Sequence, residues 1–265
     1  MTRKTLKTGL AAALALGLIT FLVLYWSDTP MGRARAVNKL VSENVAARGG
    51  DEAWRDVSSL RLTGQMDLGE GMLVPYVLEQ KRPDKMRLEF VFDGETAVQC
   101  TDGNAGWKLL PFRGRTAPEP MTEEELRETA DLAALYGLLF DYAARGHAVE
   151  PLGREPVEGR DALKLKVTLP GGAVRWVYVD AESGLEVKVE ALRTVGGRER
   201  RVETFYHDWK ATEEGLLIAR RQETRTEGDN QFHLLTVDTV VVNPPLDDSR
   251  FAMPAGAEAG AARGN

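Results

Sequence analysis

Alternating apolar and polar side chains between residues 81 and 112 predict several short strands in quick succession. The first of these strands is apolar at every second position: Met86, Leu88, Phe90 and Phe92. This spacing is typical of a strand with one buried and one solvated face. Asp93-Gly94 and Asp102-Gly103 are turn dipeptides, and Trp107 and Leu109 add large apolar groups after the second turn. The pattern therefore predicts an antiparallel meander with one bulky apolar face.

The same alternation recurs on both sides of the meander. Before it, strands are predicted at residues 60–66 and 73–81, where Pro75 indicates an edge or a bulge. After it, strands are predicted at residues 163–169, 175–180, 185–190, 202–209, 216–226 and 232–242. Tight Gly-containing turns between neighbouring strands favour antiparallel pairing throughout.

Three segments have helical spacing instead. Residues 32–47 form the first, which Gly49-Gly50 ends, and residues 51–55 form a short second helix that presents Trp54 to the core. A capping box, in which Glu125 follows Thr122 by three positions, starts the third. The apolar face of this third segment extends to Tyr142, Arg145-Gly146 closes the segment, and Gly137 is a candidate break between two helices. We interpret it as a covering helix, with a lid or plug over the sheet as the alternative. Residues 113–120, which include two prolines, are predicted to be an exposed loop.

These elements predict an α+β chain that is mainly β, with a curved antiparallel sheet, an incomplete β-barrel, covered by helices. The helical segment between the two series of strands makes two domains conceivable. A single sheet is the better interpretation, because each half alone would expose a long apolar face.

The two ends of the chain stand apart from this domain. Arg3, Lys4 and Lys7 precede a stretch from Gly9 to Trp26 in which Thr20 is the single polar side chain. As a helix this stretch would span about 27 Å, close to the hydrocarbon thickness of a bilayer. Residues 1–30 are therefore predicted to be an N-terminal transmembrane anchor or a cleaved signal segment, residues 31–254 the folded domain, and residues 255–265 a disordered tail.

Composition and motifs exclude several classes of function. The net charge of −6 gives no electrostatic footprint for nucleic acid. The three histidines lie in different predicted elements, and the sequence contains no phosphate-binding loop, no nucleophile elbow and no zinc-protease motif. The single cysteine, Cys100, is predicted to be a small core residue. We therefore predict no catalytic residues, no metal and no cofactor.

Two short motifs resemble the periplasmic lipoprotein carriers of the LolA/LolB type, among them the outer-membrane lipoprotein-sorting proteins. They are Arg82-Pro83-x-Lys85-x-Arg87-x-Glu89 and Asp102-Gly103-x-x-Gly106-Trp107. The resemblance covers residues 36–254 in the order of elements. It implies a half-barrel wrapped over helices, with a hydrophobic cavity for acyl chains.

We assign the candidate ligand-binding residues to the concave face of the predicted sheet. Its apolar side chains are Tyr76, Leu78, Met86, Leu88, Phe90, Phe92, Trp107, Leu109 and Trp176. Arg82 and Arg87 are assigned to the rim, where they would orient a head group. Two alternatives stay open: helices fill this face completely and it is only core, or a gap remains that accepts an acyl chain.

The resemblance implies non-enzymatic binding of a lipid or lipoprotein acyl chain in envelope lipoprotein sorting or transfer. It also implies a periplasmic location, with the N-terminal helix in the inner membrane or, after cleavage, a soluble periplasmic form. An anchored protein hands its cargo over locally, so anchoring favours a receiving, extracting or sensing role. The alternative function is a membrane-tethered sensing or interaction module with a filled cavity and an envelope protein as its partner.

Overall fold

The computed structural model describes residues 30–195 and 197–254. The predicted anchor or signal segment, apart from its last residue, and the predicted tail at residues 255–265 lie outside these ranges. Within them, no helix is both long and apolar enough to cross a membrane.

Thirteen antiparallel strands form one sheet. In chain order they are β1 (Ser59–Asp67), β2 (Leu73–Lys81), β3 (Lys85–Phe92), β4 (Glu95–Thr101), β5 (Gly106–Leu110), β6 (Arg115–Pro120), β7 (Ala148–Val157), β8 (Arg160–Thr168), β9 (Val174–Asp180), β10 (Glu186–Val195), β11 (Arg198–Ala211), β12 (Leu217–Thr226) and β13 (Phe232–Val242). Their spatial order is β6-β5-β4-β3-β2-β1-β13-β12-β11-β10-β9-β8-β7. The two meanders are thus joined by the pairing of β1 with β13, and the prediction of a single sheet is confirmed.

The sheet is curved and does not close into a barrel. Its edges are β6 and β7, which do not pair with each other. Both edge strands contain two prolines, Pro118 and Pro120 in β6, and Pro151 and Pro156 in β7. Proline lacks the N–H that a ladder needs, so it is tolerated at an edge. The prediction of a loop over residues 113–120 rested on the prolines and is wrong, because an edge strand tolerates them. β7 was not predicted.

Pro75 lies in β2, which is an interior strand between β1 and β3. The pairing with β3 begins only at Tyr76, so Pro75 falls outside that ladder. The β1–β2 register is regular past Pro75, and no bulge is present there.

In the part of the chain that the structure describes, three α-helices accompany the sheet: α1 (Pro30–Ala47), α2 (Asp51–Arg55) and α3 (Glu123–Ala133). α1 packs beside β7, and α3 packs against β3 and β4. Gly49 follows α1 with φ +118°. A Cβ at Gly49 would lie 2.7 Å from the carbonyl oxygen of Gly215, so this close approach requires glycine. Trp54 of α2 is buried and donates its indole N–H to the carbonyl of Arg48 at 3.0 Å.

The predicted third helix is shorter than expected. α3 ends at Ala133, and residues 134–146 continue as successive turns. Gly137, Asp141 and Gly146 each have a positive φ, which an α-helix cannot accommodate. The turns nevertheless bury Leu135 and Leu139, which belong to the predicted apolar face, together with Tyr136 and Phe140. We call residues 134–146 the turn segment.

The two faces of the sheet have separate cores. The inner face, which carries Leu62, Leu78 and Leu88, shares one large apolar cluster with α1, α2 and the turn segment. The outer face carries two smaller clusters, one around Trp107 and Phe251 and one around Tyr178. The helices and turns therefore pack against part of the inner side of the open sheet.

Candidate functional site

The strand order places six connections at one end of the sheet. These connections are β1–β2, β3–β4, β5–β6, β8–β9, β10–β11 and β12–β13. Two of them touch, since the backbone N–H of Glu70 donates to the side-chain oxygen of Gln231 at 3.3 Å. We call this end the mouth. Large apolar side chains that are about half exposed lie at or near it: Met72 (48%), Leu73 (53%), Val91 (44%) and Phe232 (48%).

A cavity of about 670 Å³ opens on the inner face near the mouth. We call it the large cavity. Its lining is mostly apolar: Met66, Leu68, Met72, Leu88, Phe90, Phe92, Leu110, Phe112, Met121 and Leu132. The polar members of the lining are Gln99, Lys108, Arg113, Glu125, Thr129 and Arg193. Its size lies within the range of small-molecule sites, and its mixed lining is typical of them.

Three of the predicted binding residues line the large cavity: Leu88, Phe90 and Phe92. All three belong to β3, where the alternation correctly predicted the inner face. Phe90 and Phe92 lie next to Phe112, with ring centroids 6.0 and 5.2 Å apart. These aromatic rings form one wall of the cavity.

Three other predicted binding residues face inward, but they lie within the core and do not line the large cavity. Tyr76, Leu78 and Met86 are at most 6% exposed. The Tyr76 hydroxyl donates to the carbonyl of Thr236 at 3.0 Å across Gly64, and burial raises the pKa of this phenol. These side chains support the wall rather than form its surface.

The remaining three apolar candidates were assigned to the wrong face. Trp107 and Leu109 belong to the outer cluster around Phe251, and Trp176 packs against the outer cluster around Tyr178. The register pairs Trp107 with Cys100, so the inward positions of β5 are Gly106, Lys108 and Leu110. Size and apolarity suggested a cavity position, but the outer face has cores of its own.

The two predicted rim arginines also lie elsewhere. Arg82 donates to the carbonyl of Trp54 at 2.8 Å, and its guanidinium lies 4.3 Å from the ring centroid of Tyr136. Burial, with the nearby charge of Arg55, lowers its pKa. Arg87 is on the outer face, where it donates to the carbonyl of Arg250 at 3.1 Å and lies over Trp107. Neither arginine lines the large cavity.

Sequence reasoning missed the methionines and the ion pair of the site. Met66, Met72 and Met121 reach the large cavity from three separate elements. Methionine is flexible and polarizable, so it suits a surface that must adapt to a ligand. Met66 was predicted to be on the apolar face of a strand, but nothing in the sequence around Met121 links it to the others.

Lys108, which is buried, and Glu125, which is partly exposed, form a charged pair in the cavity wall. The Lys108 ammonium bonds Glu125 and lies 3.3 Å from a carboxylate oxygen of Glu119. Glu125 also completes the predicted capping box: it accepts from the backbone N–H of Thr122 at 3.0 Å, and its own N–H donates to the Thr122 hydroxyl at 3.2 Å. Burial opposes ionisation of Glu125, but the bonds from Lys108 and Thr122 outweigh it and lower its pKa.

A second, smaller cavity of about 310 Å³ adjoins the first, and we call it the small cavity. The two share Leu132 and Arg193 in their linings. The small cavity contains a buried ion pair, Arg48 with Glu186 at 3.4 Å. Arg48 also donates to the carbonyl of Tyr136 at 2.7 Å, which ties the turn segment to the end of α1.

A β-bulge explains why Glu186 points inward. The β9–β10 register shifts between Glu186 and Lys188, and Val187 joins the outer apolar cluster. A bulge places two successive residues on one face, so Val187 and Lys188 both face outward while Glu186 and Val189 line the small cavity. The strict alternation predicted for this strand therefore fails by one residue.

Within residues 30–195 and 197–254, no cluster of three or more His, Cys, Asp or Glu side chains is arranged to hold a metal ion. His147 lies 3.0 Å from the carbonyl of Leu138, and burial lowers its pKa. Cys100 is fully buried in the outer face. Burial raises the pKa of its thiol to about 11.

Comparison with solved structures identifies the architecture. A LolA superfamily protein from Nitrosomonas europaea superposes with a TM-score of 0.56 at 14% identity, over 82% of this chain and 97% of that one. A DUF1329 family protein from Desulfovibrio piger gives 0.56 at 13% identity, over 82% and 97%. An outer membrane lipoprotein-sorting protein domain from Vibrio parahaemolyticus gives 0.53 at 13% identity, over 80% and 94%.

The fold is therefore LolA-like, as the resemblance in the sequence predicted. No protein-family model matches the sequence, and no curated protein matches it either.

Proposed function

We propose that this chain binds an acyl chain of a lipid or lipoprotein, non-covalently, in the large cavity. The observation that carries the proposal is the unfilled space of about 670 Å³ on the inner face of a sheet whose other inward side chains are packed. A face that served only as core would be filled. The LolA-like fold supports the same proposal, since one of its structural relatives is described as a lipoprotein-sorting domain.

Apolar burial alone is sufficient to drive such binding. Each methylene removed from water contributes about 0.8 kcal/mol, so a chain of moderate length gains several kcal/mol without any reacting group. The wall offers aromatic rings and three methionines to that chain. We therefore propose a carrier or acceptor rather than an enzyme.

We also propose that the protein works in the cell envelope, on the periplasmic side, held to the inner membrane by the predicted N-terminal helix. The apolar side chains at the mouth, Met72, Leu73 and Phe232, support an exchange of cargo with a lipid surface or a partner protein at that end. An anchored carrier would receive or extract a lipid locally.

The test introduces tryptophan at two positions of β4 and compares the variants. Gln99 of β4 is half-buried and lines the large cavity, whereas Thr96 is exposed and belongs to the opposite face. Gln99→Trp should narrow the cavity and weaken binding of a fluorescent 16-carbon fatty acid to the purified full chain by about tenfold or more. Thr96→Trp adds a larger side chain outside the cavity and should leave the affinity unchanged.

Circular dichroism and a urea unfolding curve would establish that both variants are folded. Equal affinities of both variants and the wild type would contradict the proposed site. The absence of saturable binding to the wild type would contradict the proposed function.

A further inference from the structure

The small cavity extends from the large cavity toward the end of the sheet opposite the mouth. The two linings share Leu132 and Arg193. Arg193 lies in the half of β10 nearer the mouth, whereas Glu186, the first residue of β10, lies at the far end and lines only the small cavity. The small cavity is therefore placed to receive the polar end of an amphiphile whose tail fills the large cavity.

The charged side chains of the small cavity are already paired. Arg48 and Glu186 form the buried ion pair described above, at 3.4 Å, and Arg193 has interactions of its own. A ligand at this site meets no free charge. Burying a further charged group here would cost solvation energy without supplying a counter-ion, so the site does not favour an ionic head group.

Two buried atoms of the ion pair nevertheless lack hydrogen-bond partners. Among the described residues, none donates to Oε2 of Glu186, and none accepts from Nε of Arg48. Glu186 is only 7% exposed, and the indole N–H of Trp209 donates to its backbone carbonyl at 3.3 Å. A buried polar atom without a partner is destabilising unless water or a ligand supplies the bond.

Uncharged hydrogen-bonding groups lie in the same lining. The side-chain amide of Gln222 forms no hydrogen bond within the described residues. The hydroxyls of Thr204 and Thr224 lie 3.1 Å apart and bond each other, so both can still accept a further bond. The site therefore offers an acceptor on Glu186, a donor on Arg48 and an amide that does both.

We propose, on the basis of the proposed function, that the preferred ligand has an uncharged head group that bears hydroxyls, such as a glycerol or sugar ester of a fatty acid. Its hydroxyls donate to Oε2 of Glu186 and accept from the amide of Gln222, while its acyl tail lies in the large cavity. An alcohol suits this set of partners, because each hydroxyl donates one hydrogen bond and accepts two.

The test measures affinities of the full chain for three uncharged esters with the same 16-carbon tail. They are methyl palmitate, which has no hydroxyl, monopalmitoylglycerol and palmitoylglucose. We expect at least one hydroxyl-bearing ester to bind about tenfold more tightly than methyl palmitate, as a hydrogen bond to a carboxylate implies. This advantage should not depend on the salt concentration. The comparison of the two hydroxyl-bearing esters distinguishes a glycerol source from a sugar source.

Gln222→Leu locates the effect. It removes the amide from the small cavity at nearly constant volume, and it should weaken binding of the preferred ester about fivefold while methyl palmitate is unaffected. Gln65→Leu, the same substitution on β1 outside both linings, is the matched control and should change neither affinity. Glu186 is left intact, because its loss would leave the buried charge of Arg48 without its partner.

Equal affinity for all three esters would overturn this inference and leave the proposed function intact, because it would mean that water, and not a ligand, completes the bonds of Glu186. The same holds if Gln222→Leu changes the affinity for none of the esters, or for all of them equally. Failure of all three esters to bind would refute the proposed function itself.

Discussion

Glu125 joins a helix terminus to the wall of the large cavity, and its ionisation contributes to stability. Its pKa in the folded protein is lowered from 4.5, because the bonds from Lys108 and Thr122 outweigh the effect of burial. A carboxyl whose folded pKa is depressed stabilises the fold fully above its unfolded pKa and loses that contribution as the pH falls through the folded value. The stabilisation by Glu125 is therefore complete above about pH 4.5 and declines below it.

We predict that Glu125→Gln lowers the free energy of unfolding at pH 7, and that the difference from the wild type shrinks as the pH falls below 4.5. Urea unfolding at a series of pH values measures this difference. Glu124→Gln, at an exposed neighbour in the first turn of α3, is the matched control. A difference that stays constant down to pH 2.5 would show that the ionised carboxylate is not responsible.

Particular residues show where the alternation of apolar and polar side chains predicted the site correctly. In β3 the alternation identified Leu88, Phe90 and Phe92, because a strand between two regular neighbours keeps strict two-residue periodicity. It was no guide to Trp107 or Trp176, because large apolar side chains also cover the outer face. The bulge near Val187 interrupts the alternation, so that Glu186 faces inward and lines the small cavity.

At the scale of elements, the segment after β13 seals the outer face. A 3₁₀ turn, Asp248–Arg250, places Phe251 against Trp107, whose indole N–H donates to the Phe251 carbonyl at 3.2 Å. Arg250 bonds the buried carboxylate of Glu79 at 2.7 Å, and Lys81 and Lys85 lie 2.7 and 2.9 Å from Asp248. The Cys100 thiol donates to the Phe251 carbonyl at 3.4 Å beneath this cover.

We predict that truncation after residue 245 exposes Cys100 and raises its rate of alkylation by iodoacetamide by about tenfold or more, since access and ionisation both control thiol reactivity. Burial under the segment after β13 raises the pKa of the Cys100 thiol to about 11 in the intact protein. Truncation after residue 254 keeps Phe251 and serves as the control. Equal rates in the two truncated proteins would contradict the sealing role.

The elements that sequence reasoning missed share one physical cause. β6 and β7 are the edges of the sheet, and each carries two prolines and mostly exposed side chains. Edge strands need neither a complete set of N–H donors nor an apolar face. The two usual signs of a strand, an absence of proline and an alternation of apolar and polar side chains, are therefore weak there. The helix predicted over the turn segment is wrong for a different reason. Its apolar residues have helical spacing, but Gly137, the predicted candidate break, has a positive φ and turns the backbone.

At the scale of the whole molecule, the sequence was sufficient to predict one curved sheet over helices. Each series of strands has an apolar face that the other must help to cover, and the β1–β13 pairing joins them. The cavity itself could not be predicted, because it depends on how far apart α3, β3 and β10 lie after folding. Local periodicity carries no information about such distances.

The central claim is that an acyl chain binds on the inner face, and photolabelling of the full chain tests it most directly. A palmitate analogue with a diazirine near the end of its tail would be crosslinked to the protein, and the labelled peptides identified by mass spectrometry. We predict saturable labelling at Met66, Phe92, Phe112 or Met121, which unlabelled palmitate suppresses. Labelling confined to outer-face residues such as Trp107 or Trp176, or labelling that does not saturate, would contradict the claim.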